Sequence, residues 1–383
     1  MYPSHKTFLI QPSPSPTELQ KVATNCVSYP ITMRFLLAAT TLALSAQAFT
    51  PSSVAPPVRL QDTSIHAIGA LARKAKEATL REYISGGIED NVMEKYNIIK
   101  DALSKEIDTS ADFVMGPLQE RLTRRKGTIT VIAEYKRKLS DSGYIRDVFE
   151  PAIMSREFRE FGASGIAVMA DERMGGCTYE DLAVFVEDQR RSKNEVPGPV
   201  QIINNDLIID ELQIAQSAAY GASAVVLSLE ITGIEDTTKL LKAAKSVELE
   251  VIVAVSSKEQ AQEAVDIGAR IVSVINVDGA DEKTKVIKEL NVPEGETVTT
   301  IANILHRDNK GLEEVTEAWA CRDKGFNCAW ISDALYKAGN SEVEHPGAIV
   351  KSMTSKSSLK WASPVARSGR GEGAREYLGD IMM

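Results

Sequence analysis

The sequence is poor in the residues that announce metal, redox or disulfide chemistry. Its four cysteines (Cys26, Cys177, Cys321, Cys328) are scattered, with no CxxC pair. That excludes a disulfide framework and suits a reducing compartment. The four histidines (His5, His66, His306, His345) share no metal-ligand spacing, so no metal is expected. No GxGxxG loop follows an early strand, and no cofactor is expected. Positive charge is short as well. The formal net charge is −9 without a dense Lys/Arg run, which argues against nucleic acid as a partner. Beyond the N-terminal leader no apolar run reaches membrane-spanning length, so the mature form is expected off the membrane.

What is present is ordinary soluble-protein material. The chain has 383 residues, 43% hydrophobic and 25% charged, enough for a substantial core in one large domain or two smaller ones. Residues 1–64 read as a leader. Within it, 33–48 have the form of a signal peptide: a short basic start at Met33-Arg34, an apolar stretch, then Ser45-Ala46-Gln47-Ala48 with small residues at the cleavage positions. Phe49 and a Ser/Pro/Thr-rich stretch without an acid until Asp62 follow. This combination resembles the bipartite leaders of algae with complex plastids. The expected address is the chloroplast stroma, with plain secretion as the alternative and the free thiols favouring the stroma.

From about residue 67 the pattern is helical, through IGALARKAKEATLREYI, DNVMEKYNIIKDALSKEI and DFVMGPLQERLTRR. The period then changes. Short apolar runs alternate with amphipathic segments, giving strands at 128–136, 164–170, 199–205, 224–230, 250–256, 271–277, 297–304 and 328–332. Helices are expected between them at 151–162, 178–192, 210–220, 234–247, 258–267, 281–290 and 311–325, with an eighth near 343–356. Runs such as AVVLSL, EVIVAV and RIVSVI are apolar on both faces, as buried parallel strands are. Eight such units predict an α/β fold, a (β/α)8 TIM barrel with an N-terminal helical extension, over residues 65–358. A doubly wound open sheet is the alternative. Residues 359–383 form a short C-terminal tail.

The first strand ends unusually. In VIAEYKRKLSDSGYIRD, Glu134 and Lys136 lie two residues apart at the end of an apolar run, so both point to one face. Barrels of this kind place their chemistry at the C-terminal ends of the strands, where inward charges are costly unless paired or functional. An ordinary Glu–Lys pair at the rim is the plainer reading.

VIAEYKRK…SGYIRD resembles the first-strand motif of indole-3-glycerol-phosphate synthase, E-x-K-(K/R)-x-S-P-S-x-G-x-I-R. LARKAKEATLREYI is similar to that family's N-terminal helix. ASGIAVMADERMGGCTYEDL resembles its second strand and loop, and DLIIDELQIAQSAAYGASAVVLSL its third helix and fourth strand. The resemblance covers roughly residues 67–350 and implies a barrel that closes an anionic ribulose phosphate bearing an anthranilate into an indole, with loss of carbon dioxide and water. It implies that Lys136 contacts the substrate carboxylate or donates a proton, and that Glu134 holds the catalytic lysines. Ser140, Asn205, Asn276, Asn303 and Ser332 fall at substrate-binding positions.

Several of those positions depart from the pattern. Asn205 stands where the family has its general-acid lysine, and an amide cannot protonate a carbonyl. Ala254 replaces a glutamate on the fifth strand, and no Arg follows Asn276 on the sixth. Ala302-Asn303-Ile304 replaces Glu-Ser-Gly on the seventh, and Ser332-Asp333 replaces the glycine-led phosphate loop of the eighth. The first loop has Leu139-Ser140-Asp141 for Ser-Pro-Ser. Three readings follow. One is a lapsed, non-catalytic relative that binds a ligand or a protein partner. The second is an active synthase on a phosphorylated substrate, using Glu134 and Lys136. The third is a changed enzyme using Glu134, Lys136 and new polar residues such as Glu230, Asn204, Asn205, Asn276 or His306 on another substrate; Arg307 and Lys310 after the seventh strand either attract an anion or form a solvated loop. The tail segment 363–383 reads as a Gly/Arg-rich linker ending in Tyr377, Leu378, Ile381, Met382 and Met383, either disordered or a docking segment for a partner.

Overall fold

The alternating apolar runs close into a ring. In a computed structural model of the chain, the described residues are 60–105, 114–123, 128–139, 143–145, 150–307, 312–337 and 346–354. The leader up to residue 59, Ser140, Lys310 and the tail 359–383 lie outside them. Eight parallel strands pair in a closed barrel: β1 (Thr130–Tyr135), β4 (Gly165–Val168), β5 (Gln201–Asn204), β6 (Ala224–Ser228), β7 (Glu250–Val255), β8 (Ile271–Val274), β9 (Thr299–Ile304) and β10 (Cys328–Ile331), with β10 returning to pair with β1. A two-residue hairpin, β2 (Lys138–Leu139) with β3 (Gly143–Tyr144), leaves the end of β1.

The connecting helices are α4 (Pro151–Glu160), α5 (Tyr179–Arg191), α6 (Glu211–Ala219), α7 (Leu229–Ser246), α8 (Lys258–Asp266), α9 (Ala280–Ile287) and α10 (Leu312–Asp323). After β10 come a single turn, α11 (Ala334–Lys337), and α12 (Pro346–Thr354). Ahead of the barrel lie α1 (Leu60–Gly86), α2 (Asp90–Ser104) and α3 (Pro117–Leu122); α2 packs on α6 and α7, and α1 on α7.

Period-two alternation sorts each strand into two cores. Ile132, Ile203, Ile252, Ile271, Ile301 and Trp330 fill the barrel interior. Val131, Ala133 and Tyr135 face outward to the helices, and the Tyr135 ring lies 4.9 Å from that of Phe185. The interior is closed below by α3, whose Leu118 and Leu122 are wholly buried in the same cluster. The Glu250 carboxylate caps this plug by accepting from the Leu118 and Gln119 backbone N–H groups, at 2.6 and 2.9 Å. Any side chain at Gly116 would collide with that carboxylate.

Two expectations change. Of the segment read as helical before the barrel, DFVMGPLQERLTRR, only Pro117–Leu122 is assigned as helix among its described residues. Proline is suited to the first turn, where its missing N–H costs nothing. The fourth barrel strand stops at Ser228, and Leu229–Thr232 already turn helically before Gly233, at φ 74°, breaks the helix. Glu230 is therefore on a half-buried turn and not on a strand. The eighth helix, expected near 343–356, is α12, and the extra turn α11 precedes it.

Candidate functional site

The inner faces of the strands run out at their C-terminal ends into a cavity of about 680 Å³. Glu134, Asn205, Asn276, Asn303 and Ser332 all line it, so five of the seven residues singled out in the sequence meet in one place. Lys136 sits just behind this wall, 5% exposed, and holds three residues that line it. Its ammonium donates to Ser332 Oγ at 2.7 Å, is ion-paired with Asp333, and lies 3.5 Å from Glu134 Oε1. Burial opposes this charge, but Glu134 and Asp333 outweigh it and raise the lysine pKa above its ordinary value.

Glu134 is 2% exposed and held at both oxygens. Its Oε2 accepts from the Trp330 indole N–H at 2.8 Å, and Oε1 is ion-paired with Lys136 at 3.5 Å. The strand end that bears it is held by α11: the Tyr336 hydroxyl donates to the Glu134 carbonyl at 2.8 Å and receives the Lys136 N–H at 3.3 Å.

Two strand ends away lies a cluster that sequence reasoning did not assign. Lys76, reaching in from α1, is ion-paired with Asp206 and sits 2.8 Å from Asp171. Asp171 also accepts from the backbone N–H groups of Arg173 and Met174, at 2.8 and 2.9 Å. The two carboxylates are driven apart. Burial pushes Asp206 up to about 6, against the pull of Lys76. For Asp171 burial is overcome by Lys76 and the two backbone donors, and its pKa falls below the ordinary value. Behind Asp206 stands a buried chain in which Tyr179 donates to Asp206 at 3.2 Å and Asn204 donates to Tyr179 and Ser217 at 3.2 and 2.8 Å. Asn204 thus faces away from the cavity and braces β5.

The signal for Lys76 was legible in principle. It lies four residues after Ala72 and four before Leu80, on the face of α1 that packs inward, where an ammonium requires a partner. Asp333 and Asp206 were visible as residues, but their lysine partners depend on the fold.

The remaining candidates divide. Asn276 lines the cavity from a left-handed backbone position, φ 56°, which asparagine tolerates. His306 lines it too, with Nδ1 3.3 Å from the fully buried Glu314. Arg307 is turned to Asp278 and Glu317, at 2.6 and 2.8 Å, and so is spent on the loop before α9 and on α10. Glu230 does not line the cavity. Ser228 and Ser273 add hydroxyls, while Met169, Leu207, Val226, Ile231 and Ile275 make much of the wall apolar. No group of three or more His, Cys, Asp or Glu suited to a metal ion occurs among the described residues.

The arrangement can donate and accept hydrogen bonds and exchange a proton at Asp206. It offers little to a phosphate. Lys76 and Lys136 are each shared by two carboxylates, and the strand end after β10 presents Asp333. Arg173 is exposed at the rim.

Comparison with known proteins is consistent with this placement. The sequence profile of the family described as "Indole-3-glycerol phosphate synthase" matches residues 88–344, more than half of the chain. Three proteins of that description are similar: one from Leptospira interrogans at 33% identity over 157 residues, one from Streptomyces griseus at 32% over 146, and one from Roseiflexus castenholzii at 28% over 219. These matches cover 41%, 38% and 55% of this chain, and 59%, 51% and 76% of the respective relatives. Lys76 lies before the stretch that the family profile matches.

Proposed function

This chain belongs to the indole-3-glycerol phosphate synthase family, and from that membership we propose that it keeps the tryptophan-pathway barrel as a binding fold whose ring-closing site has lapsed. One observation supports this above the others: both lysines at the mouth are neutralised by paired carboxylates. The ring-closing substrate carries a phosphate and a carboxylate, and each needs an uncommitted cation or a cradle of backbone N–H groups. Asp333 at the end of β10 would face that phosphate with like charge. Asn205 has no proton to give. Loss of one general acid alone commonly costs about 10²–10⁴ in rate.

A second reading is favoured by Lys76. Its ammonium reaches the end of β5 next to Asn205, where the expected lysine is lacking, so an active synthase would use Lys76 for acid work with Lys136 on the carboxylate. Two carboxylates hold that proton, and the Lys76 pKa is raised despite burial, which makes it a reluctant acid. The test is indole formation from carboxyphenylamino-deoxyribulose phosphate, followed by fluorescence, with Lys76→Met and Lys136→Ala as controls. The lapsed reading expects no turnover in any of the three proteins. Turnover in the parent that either control abolishes establishes the second reading.

A further inference from the structure

The ring of strand ends divides into two arcs. β10, β1 and β4 lie side by side, and their ends and loops carry Asp333, Glu134, Lys136 and Asp171. These charges are paired with one another or with Lys76, which leaves none of them for a ligand of either sign. β5 to β9 make up the other arc. Strand alternation puts Asn205, Ser228, Ala254, Ser273 and Asn303 on its inner face, in step with Ile203, Ala224, Ile252, Ile271 and Ile301 of the interior cluster. All five line the cavity, and all five are uncharged. Their titratable neighbours are turned elsewhere, Asp206 to Lys76 and His306 to Glu314.

The four polar side chains of this arc make no hydrogen bond to any described residue, and their nitrogen and oxygen atoms keep accessible surface. Ser273 is only 3% exposed, so its hydroxyl is reached from inside the cavity. A ligand that displaces solvent from these groups must replace their hydrogen bonds. A carboxamide presents a donor beside an acceptor, and its complement is the edge of a cis amide. Asn303 is flanked by apolar side chains: it pairs in register with Trp330 of β10, and on its other side Ile275 continues β8. The volume is that of a small-molecule site.

We propose that this cavity binds an uncharged ring compound bearing a cyclic amide, its N–H and C=O on the Asn303 carboxamide and its ring against Ile275 and Trp330. The inference deepens the lapsed-synthase reading and rests on it. Neutrality is the selective element: an ion of the same shape gives up its hydration and finds every opposite charge at the strand ends already paired.

The probes are 2-quinolinone, its N-methyl derivative, and the bicyclic ions 2-naphthoate and 2-naphthylmethylammonium, titrated calorimetrically into the full chain. 2-Quinolinone is expected to bind saturably and at least about tenfold tighter than each of the others, since N-methylation leaves the Asn303 oxygen without a donor. Asn303→Leu, of similar volume, is expected to remove the preference for 2-quinolinone over its N-methyl derivative. If that variant fails to fold, Ile275→Trp, which fills the space beside Asn303, is expected to abolish binding. Absence of 2-quinolinone binding, binding of any other probe as tight as 2-quinolinone, or a preference unchanged in Asn303→Leu overturns the proposal. Adding the ring-closing substrate to the same preparations separates the two failures. Turnover sinks the lapsed reading, whereas no turnover together with no 2-quinolinone binding sinks only this inference.

Discussion

Asp206 is the residue whose ionisation most directly reports on the mouth. Its folded pKa of about 6 lies above the ordinary carboxylate value of 3.8. Between those two values the folded chain therefore holds a proton that the unfolded chain has released. Through this group stability is greatest at low pH and is lost as pH rises through about 6. Asp206→Asn removes that dependence. Urea midpoints at pH 4.5, 5.5 and 6.5 are expected to show the variant gaining on the parent as pH rises. A variant that instead falls further behind with rising pH would mean that Lys76 dominates and the carboxyl is depressed. At this scale the sequence was legible where chemistry is local. Glu134 and Lys136 share a face because strands alternate, and five of the named positions do line one cavity. Lys76 was missed because its partners, Asp171 and Asp206, stand 95 and 130 residues away.

At the scale of elements, the barrel divides its polar residues between stability at the bottom and function at the mouth. Glu250 opens β7 and looks like a solvent-facing strand start, yet it caps α3 and is half-buried. Burial raises its pKa although the Gln119 and Leu118 N–H groups pull the other way, so the cap is held against a desolvation cost. Glu250→Ala is expected to cost about 1–3 kcal/mol in chemical denaturation, the usual penalty for stranding buried donors, and to leave ligand binding at the mouth unchanged. Strand number and order followed from apolar runs, since parallel strands covered on both faces read as continuous hydrophobic segments. Element ends were less legible. The helical turn after Ser228 depends on Gly233 at φ 74°, and the short α3 exists because Leu118 and Leu122 have a barrel floor to fill.

For the whole molecule, the separation between preserved packing and altered mouth chemistry is the central observation. The interior cluster is complete from Leu118 to Trp330, and the ring closes without a gap. The departures fall instead on Asn205, Ala254, Asn303 and Asp333, all at the cavity. The family resemblance stated from the first-strand motif is upheld by the match over residues 88–344, while the ligand belongs to the experiments above. The measurement that bears most directly on the central claim is equilibrium binding of the ring-closing substrate to the full chain by calorimetry, at low and at physiological salt. A mouth whose two lysines are both committed to carboxylates predicts no saturable binding up to about millimolar substrate at either salt. Micromolar binding that weakens with salt and is lost in Lys136→Ala would contradict it, because the lysine would then be free to receive the anion.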